Sequence, residues 1–539
     1  MGGRRREGRD ALRIRGRETL EGYREFVDDW QAFQEAIRRP EPTTLRTNLC
    51  RIERPELGAR LEGQGFRVEP LPHQPAFLRV LDGPFPISDT LEHWAGLFYI
   101  QQAATGWAAP LLDPRPGERV LDLCAAPGGK TTHLAERMQG TGTVVAADVN
   151  ETRIRALLGN IYRLGHTNIM TVAGDGRRFP LGASFDRVMV DVPCSAEGTL
   201  RKRGGMIPGH SRKWAKQVTR AQEKLLRRAA ALTRPGGTLL YVTCTFGPHE
   251  NEAVLTRVLA DAPLDVDPVE FPAPHAPGLA GFDGASFDPR LAGAVRIYPH
   301  HLDSGGLFLC RLKRLEGPVP GVEIPGGSEV DSHDEQDRAP YGSRTSIPVS
   351  GWSPVPPVFP EGDDGGVDVE AAHTEVRRGQ EFLQTRLGVA PEGLSEVKWM
   401  QRGSNLWVHS LAGWPLENWQ PGGHWRAVAV GFRAMDLGGD GPPRPTNDLL
   451  GWLGSRISEG RVELSATEWV RLLESGRTQS APDAGRDGIV ALCHDGMVLG
   501  RGFQRGRLLR HEIPKGRLRW LRNVMEGRVN ALQGEPEEG

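Results

Sequence analysis

The chain has 539 residues, 38% of them hydrophobic and 25% charged, and a formal charge of −1. That balance excludes fibrous and wholly disordered classes, and the length suggests three or four domains at roughly 100–200 residues each. No run of about 18 apolar residues is present, so no membrane-spanning helix is expected. Met1 to Arg17 is Arg-rich, lacks an apolar core and carries Glu7 and Asp10; it does not read as a signal peptide, and a cytoplasmic protein is expected. The six cysteines are Cys50, Cys124, Cys194, Cys244, Cys310 and Cys493. They form no C-x-x-C pair, so reduced thiols are expected, with neither a disulfide framework nor a metal site.

In chain order, an Arg-rich extension (1–24) precedes a small α+β domain (25–111). Leu45–Cys50, Phe66–Leu71 and Phe77–Leu81 read as strands, and Pro55–Glu62 as a helix opened by proline. Over 112–314 strand and helix alternate. Strands are expected at Arg119–Cys124, Thr143–Asp148, Asn168–Ala173, Phe185–Val192 and Thr238–Val242, and helices at Lys130–Met138, Glu151–Leu164 and Arg220–Thr233. This order predicts an α/β core, a mainly parallel sheet covered on both faces. Residues 316–370 hold 9 Pro, 9 Gly and 12 acidic against 2 basic residues; the segment 315–370 reads as an acidic linker. Folding resumes over 371–535, with strands around Trp407–Val408 and Val428–Val430, a helix over Thr446–Leu453, and a hairpin turning at His494-Asp-Gly496.

The strongest local signal is Asp122-Leu-Cys-Ala-Ala-Pro-Gly-Gly-Lys130, where a strand passes into a helix. Glycines there allow a close backbone approach, and helix-start N–H groups suit a carboxylate. The spacing is not that of a dinucleotide-binding loop. Asp122, Asp148 and Asp175 fall at the carboxyl ends of neighbouring strands and converge on one crevice. Such acids suit a cationic ligand with a ribose and an amino-acid tail, as in S-adenosylmethionine; the plainer reading is another nucleotide, or three helix caps. Asp191-Val-Pro-Cys194 and Thr243-Cys244-Thr245 end two later strands, placing two thiols on the same sheet edge. A thiolate adding to C6 of a pyrimidine makes C5 nucleophilic enough to be methylated. A carboxyl such as Asp191 can meet the N3/N4 edge of the base. The residues alone leave open which cysteine attacks.

Through these segments, together with Gly174-Asp-Gly176, Pro248-His-Glu-Asn-Glu252, Arg296-Ile-Tyr-Pro-His300 and Gly306-Leu-Phe308, residues 25–314 resemble the Nol/Nop/Sun family of RNA (cytosine-5) methyltransferases. The resemblance implies a Rossmann-like class I methyltransferase fold and adenosylmethionine as cofactor. It implies Cys244 as nucleophile, Cys194 in product release, and Asp191 and Lys130 at the reacting base. Cofactor contacts are implied for Cys124, Ala125, Ala126, Pro127, Gly128, Gly129, Lys130, Asp148, Asp175 and Asp191. Arg153 is carried over as well, its plainer reading being a surface arginine. Gly488–Gly500 and Pro514–Trp520 are similar to the C-terminal part of bacterial RsmF-like ribosomal RNA methyltransferases, which implies a PUA-like RNA-binding domain. Small-subunit (16S) ribosomal RNA is the expected substrate and a monomer the expected state. The alternatives are a tRNA methyltransferase and a non-catalytic ribosome-assembly factor.

Two basic stretches fit an RNA partner. Arg201–Arg228 holds ten Lys/Arg and one acid, with Trp214 among them. Arg501–Arg522 holds eight Lys/Arg and one acid, with Phe503 and Trp520 expected to stack on bases. Arg4–Arg17 is a third, weaker basic stretch.

Overall fold

In the computed structural model the described residues are 18–181, 184–206, 211–322, 369–410, 426–438, 441–479 and 487–533. Arg4–Arg17, most of the acidic linker and the acidic end of the chain lie outside them.

After helix α1 (Trp30–Arg38), strands β1 (Thr43–Thr47), β2 (Arg67–Pro70), β3 (Phe77–Asp82) and β4 (Phe98–Ile100) form an antiparallel sheet in the order β2-β3-β1-β4. Helix α2 (Arg54–Glu62), opened by Pro55, packs Leu57 and Leu61 against Leu45, Phe66, Leu78 and Phe98.

Strands β5 (Arg119–Asp122), β6 (Thr143–Asp148), β7 (Ile169–Ala173), β8 (Phe185–Asp191) and β9 (Thr233–Thr243) form the parallel centre of a larger sheet, in the order β9-β8-β5-β6-β7. Every residue of β6 is buried, as a strand covered on both faces requires. Helices α3 (Gly129–Arg137), α4 (Glu151–Leu164), α5 (Arg212–Leu232) and α6 (Glu252–Leu259) connect and flank these strands. In α4, Ile154, Leu157, Ile161 and Leu164 recur at helical spacing and are the buried face. The Asn150 side chain caps its start and Gly165, at φ 77°, closes it. Strands β10 (Val295–Ile297) and β11 (Leu307–Arg314) extend the sheet antiparallel beside β9. The result is the Rossmann-like methyltransferase core, doubly wound about a parallel centre, with antiparallel strands at both edges that make the whole sheet mixed.

Two features differ from the expected layout. Helix α5 begins at Arg212, not near Arg220, because the Ser211 side chain caps it by accepting from Trp214 N. Strand Arg426–Val430, far along the chain, pairs antiparallel with β7 and so joins the core sheet. The C-terminal part also builds a four-stranded sheet and a five-stranded one. In the latter, Gly488–His494 and Met497–Arg505 form the expected hairpin, with Asp495 and Gly496 at φ 49° and 71°.

The N-terminal sheet is bolted to both neighbours. Arg46, fully buried on β1, donates to Glu136 of α3 at 2.8 and 2.9 Å and to Gly129 O at 2.7 Å. Trp94 stacks on Trp520 at 4.7 Å and donates to Leu499 O at 3.1 Å.

Candidate active site

The strand order reverses at β5: the chain goes to β6 and β7 on one side and to β8 and β9 on the other. The crevice beyond the carboxyl ends of these strands is where an open α/β sheet binds its ligand. It holds the 123–130 loop and Asp148 on one wall, and Asp191, Cys194 and Cys244 on the other.

On the first wall, Gly128 takes φ 107°, and a Cβ there would meet Leu157 at 2.7 Å. The turn therefore requires glycine at this position. Asp148, ending β6, accepts from Ala126 N at 3.1 Å and Asn150 N at 2.8 Å. Arg153 reaches back from α4, with Nη1 3.3 Å from Asp148 Oδ2 and Nη2 donating to Ala126 O. Pro127 O accepts from Asn160 at 3.0 Å. These bonds join the two loops that a nucleoside would span. Asp122 is buried and accepts from Thr131 Oγ1 at 2.7 Å; burial pushes it up to about 7. Cys124 lies among Asp148, Asp122 and Asp191; burial, then their negative charges, push its thiol well above the usual range. A field of this sign suits a cationic ligand, so the donor set fits adenosylmethionine.

Asp175 stands apart from the other acids. Its carboxylate caps the short turn Gly176–Arg178, accepting from Arg177 N at 2.9 Å, and is forked by the Arg177 guanidinium at 2.6 and 2.9 Å. For Asp175 alone of the three strand-end acids, the helix-cap reading describes the geometry.

On the second wall, Cys194 Sγ and Cys244 Sγ are 3.3 Å apart. Cys194 is buried and Cys244 partly open. The hydrogen bond to Cys244, then burial, push the Cys194 thiol well above its ordinary range. Lys130 Nζ donates to Asp191 Oδ2 at 2.8 Å, joining the two walls. Asp191 and the Cys244 thiol both act electrostatically on the Lys130 ammonium, which is raised despite its burial. Lys130, Asp191, Cys194 and Cys244 are therefore brought together.

Residues singled out only as part of a motif, or missed, hold the thiols in place. Glu250 accepts from Ser195 N at 3.0 Å and from Gln222 of α5 at 2.9 Å; Gln222 also donates to Pro193 O at 2.9 Å. Asn251 accepts from Thr243 Oγ1 at 2.6 Å and donates to Thr245 O at 3.1 Å. Glu252 pairs with buried Arg296, whose Nη1 donates to Phe246 O at 2.9 Å. The Pro248–Glu252 run thus serves both cysteine loops. Glu197 and Tyr23 were missed; only the nearness of Glu197 to Cys194 in sequence could have signalled it.

The two basic stretches differ in accessibility. Lys202, Arg203, Arg212, Lys213, Lys216 and Arg220 are exposed, whereas Arg201 and Arg228 are buried on backbone carbonyls. In the second stretch, Arg501 pairs with Glu512 at 2.7 Å and Arg517 with Asp448 at 2.8 Å. Phe503 lies under Arg510, and Trp520 is taken up by Trp94. One face of the Trp520 ring is therefore already covered.

One His/Asp group among the described residues has metal-ligand spacing: Asp28, His300 and His301. Tyr298 N donates to His301 Nδ1 at 3.1 Å, which leaves the proton of a neutral ring on Nε2, 2.8 Å from Asp28 Oδ2. His301 in that form offers no lone pair to an ion.

The family described as 16S rRNA methyltransferase RsmB/F matches residues 109–313. A methyltransferase homologue from Pyrococcus horikoshii, a solved structure, is 30% identical, with 56% of this chain and 96% of that one covered and a TM-score of 0.50. The chain belongs to this RsmB/F family. Among curated relatives, a ribosomal RNA small subunit methyltransferase F from Erwinia tasmaniensis is 33% identical over 310 residues, covering 56% of this chain and 63% of that protein. A 28S rRNA (cytosine-C(5))-methyltransferase from Mus musculus is 32% identical over 358 residues, covering 65% of this chain and 43% of that protein. The chain thus spans about half the length of these curated relatives.

Proposed function

We propose that this protein methylates C5 of a cytosine in RNA, using S-adenosylmethionine and a covalent bond between Cys244 and C6 of the base. One observation carries the reading: two thiols 3.3 Å apart beside a Lys130–Asp191 pair, facing a loop that fits adenosylmethionine. Methylation of an exocyclic amine needs no thiol, whereas C5 methylation needs a nucleophile at C6.

The loop 124–130, Asp148, Arg153, Asp175 and Asp191 form the cofactor side, with Asp175 acting through its turn. When bound, adenosylmethionine supplies an electrophilic methyl group. Cys244 is the nucleophile because it is the more open thiol, while burial and the contact with Cys244 hold Cys194 protonated. Its attack on C6 displaces the C5–C6 π pair towards C5 and N3. Asp191, with one oxygen on Lys130, is set to meet the N3/N4 edge. After C5 is methylated, a water molecule takes the C5 proton, the C5–H pair re-forms the C5–C6 double bond, and the C6–S bond breaks with its pair returning to Cys244. Cys194, kept protonated, donates towards that departing sulfur. The target base has to leave its stack to reach the thiol.

The substrate reading is small-subunit ribosomal RNA, supported by the family description and by the bacterial relative. The chain from 371 to 535 is read as RNA-binding and PUA-like; its five-stranded mixed sheet supports this. Among the described residues no helix is long and apolar enough to cross a membrane; a cytoplasmic location is part of the proposal.

The test is transfer of labelled methyl groups to separated small-subunit rRNA, large-subunit rRNA and tRNA, followed by nucleoside analysis. 5-Methylcytidine in the small-subunit pool is expected. Label in tRNA alone would change the substrate class, and a different nucleoside would overturn the chemistry.

A further inference from the structure

Cys194 and Cys244 sit on separate loops, after separate strands, yet their sulfurs touch. Their following residues are also in contact: Ser195 Oγ and Thr245 Oγ1 lie 2.7 Å apart. Thr245 Oγ1 donates to Glu197 Oε2 at 3.0 Å, and Tyr23 OH spans both Glu197 oxygens at 3.0 Å each. All four side chains are buried. Ala196 takes the left-handed φ of 58°, which turns the chain so that Glu197, three residues past Cys194, comes back under both loops. Gly198 N then donates to Cys244 O at 2.9 Å.

A carboxyl is an expensive filler for this position. It is buried, and Glu250, another carboxylate, acts on it; burial and that charge push Glu197 up to about 7. An apolar side chain would avoid the desolvation cost. What it could not do is accept from Thr245 and Tyr23 together.

We propose that Glu197 is a positioning residue that sets the separation of the two thiols, with Tyr23 of the N-terminal segment as its clamp. The catalytic consequence rests on the methyl-transfer reading; the geometric claim does not. A misplacement of about 1 Å at reacting groups can cost on the order of a hundredfold in rate, so a loose Cys194 would impair release of the product.

The thiols themselves supply the ruler. Treating the full chain with diamide lets Cys194 and Cys244 lose two protons and two electrons to the diazene, which becomes the hydrazine as the S–S bond forms. Intact mass and peptide mapping give the rate of that bond. Glu197→Ala should slow it by about tenfold or more, while Glu197→Gln, which still accepts from Thr245, should stay within about threefold. Tyr23→Phe should slow it measurably, and it serves alone if the alanine variant does not fold. In the folded variants kcat for methyl transfer should fall with the slowed bond, at an unchanged KM for adenosylmethionine. A wild-type rate of S–S formation in Glu197→Ala or in Tyr23→Phe overturns the proposal. If S–S formation depends on Glu197 while no RNA accepts a methyl group, the positioning role is upheld and the methyl-transfer reading fails.

Discussion

The two walls of the crevice are held by different kinds of bond. On the cofactor side the ties run within or between neighbouring segments: Asp148 to Asn150, Asp122 to Thr131 and Asp175 to Arg177 are local, and Asp148 to Ala126, Arg153 to Ala126 and Asn160 to Pro127 span 22, 27 and 33 positions. On the thiol side Asn251 makes local ties to Thr243 and Thr245, but others reach further: Ser195 to Glu250, Thr245 to Glu197, and Tyr23 across 174 positions to Glu197. A local tie survives in any fragment that keeps its turn. A long tie exists only when the whole sheet is assembled. The thiol geometry therefore depends on more distant parts of the chain, and substitutions there should act on turnover, whereas those on the other wall should act on cofactor affinity.

The sharpest test of that division is the pair of thiol variants. Cys244→Ala should reduce methyl transfer by at least about 10⁴-fold, the scale of losing a nucleophile, with adenosylmethionine binding unchanged by calorimetry. Cys194→Ala should instead accumulate a protein–RNA adduct, visible on a denaturing gel. An adduct in Cys244→Ala, with none in Cys194→Ala, would exchange the two roles.

On the cofactor wall the largest effect expected is on stability. Asp122 has its folded-state pKa raised from 3.8 to about 7. The folded state therefore binds this proton more tightly than the unfolded chain, and stability falls as pH rises from about 4 to about 7. Asp122→Asn copies the protonated form. Relative to wild type, its unfolding free energy should rise across that window by an amount on the order of 3 kcal/mol. Denaturant unfolding at pH 5 and pH 8 gives the comparison; a constant difference would mean that Asp122 is ionised in the fold throughout. A smaller effect is expected at Asp148, which already bridges the two loops. Asp148→Asn should weaken adenosylmethionine binding by about tenfold, the scale of one charged hydrogen bond, and leave kcat at saturating cofactor nearly unchanged.

The same contrast explains what could be read from the sequence. Strand β6, the turn at Gly128 and helix α4 announce themselves because a short apolar run, glycine and capping are local patterns. Asp191, Cys194 and Cys244 were legible because strand ends share a sheet edge once the parallel order is assumed. Glu197 and Tyr23 were not, since their partnership appears only when β8 and β9 lie side by side. Asp175 and Trp520 show what spacing conceals: Arg177 forks the Asp175 carboxylate and Trp94 covers one face of Trp520, and nothing in spacing reveals a partner that the fold brings in.

The basic stretches put that last point to a quantitative test, with the smallest effect. Gln222 bonds the Cys194 loop, and α5 runs on past it towards its N-terminus; at roughly 1.5 Å per residue, Arg212 lies about 15 Å further along the helix axis. Lys213, Lys216 and Arg220 are exposed along that extension, where a strand entering the crevice would pass. Arg517, of similar charge, is closed on Asp448. Salt titration of RNA binding separates the two cases, because each phosphate contact adds a nearly fixed increment to the slope of log K against log salt. Lys216→Gln and Arg220→Gln should each lower that slope by about 1. Arg517→Gln should leave it unchanged and cost less than about 1 kcal/mol of stability, as for a part-exposed ion pair. Equal slopes in all three variants would mean that RNA does not pass along α5, and that exposure beside the crevice is no guide to where the nucleic acid lies.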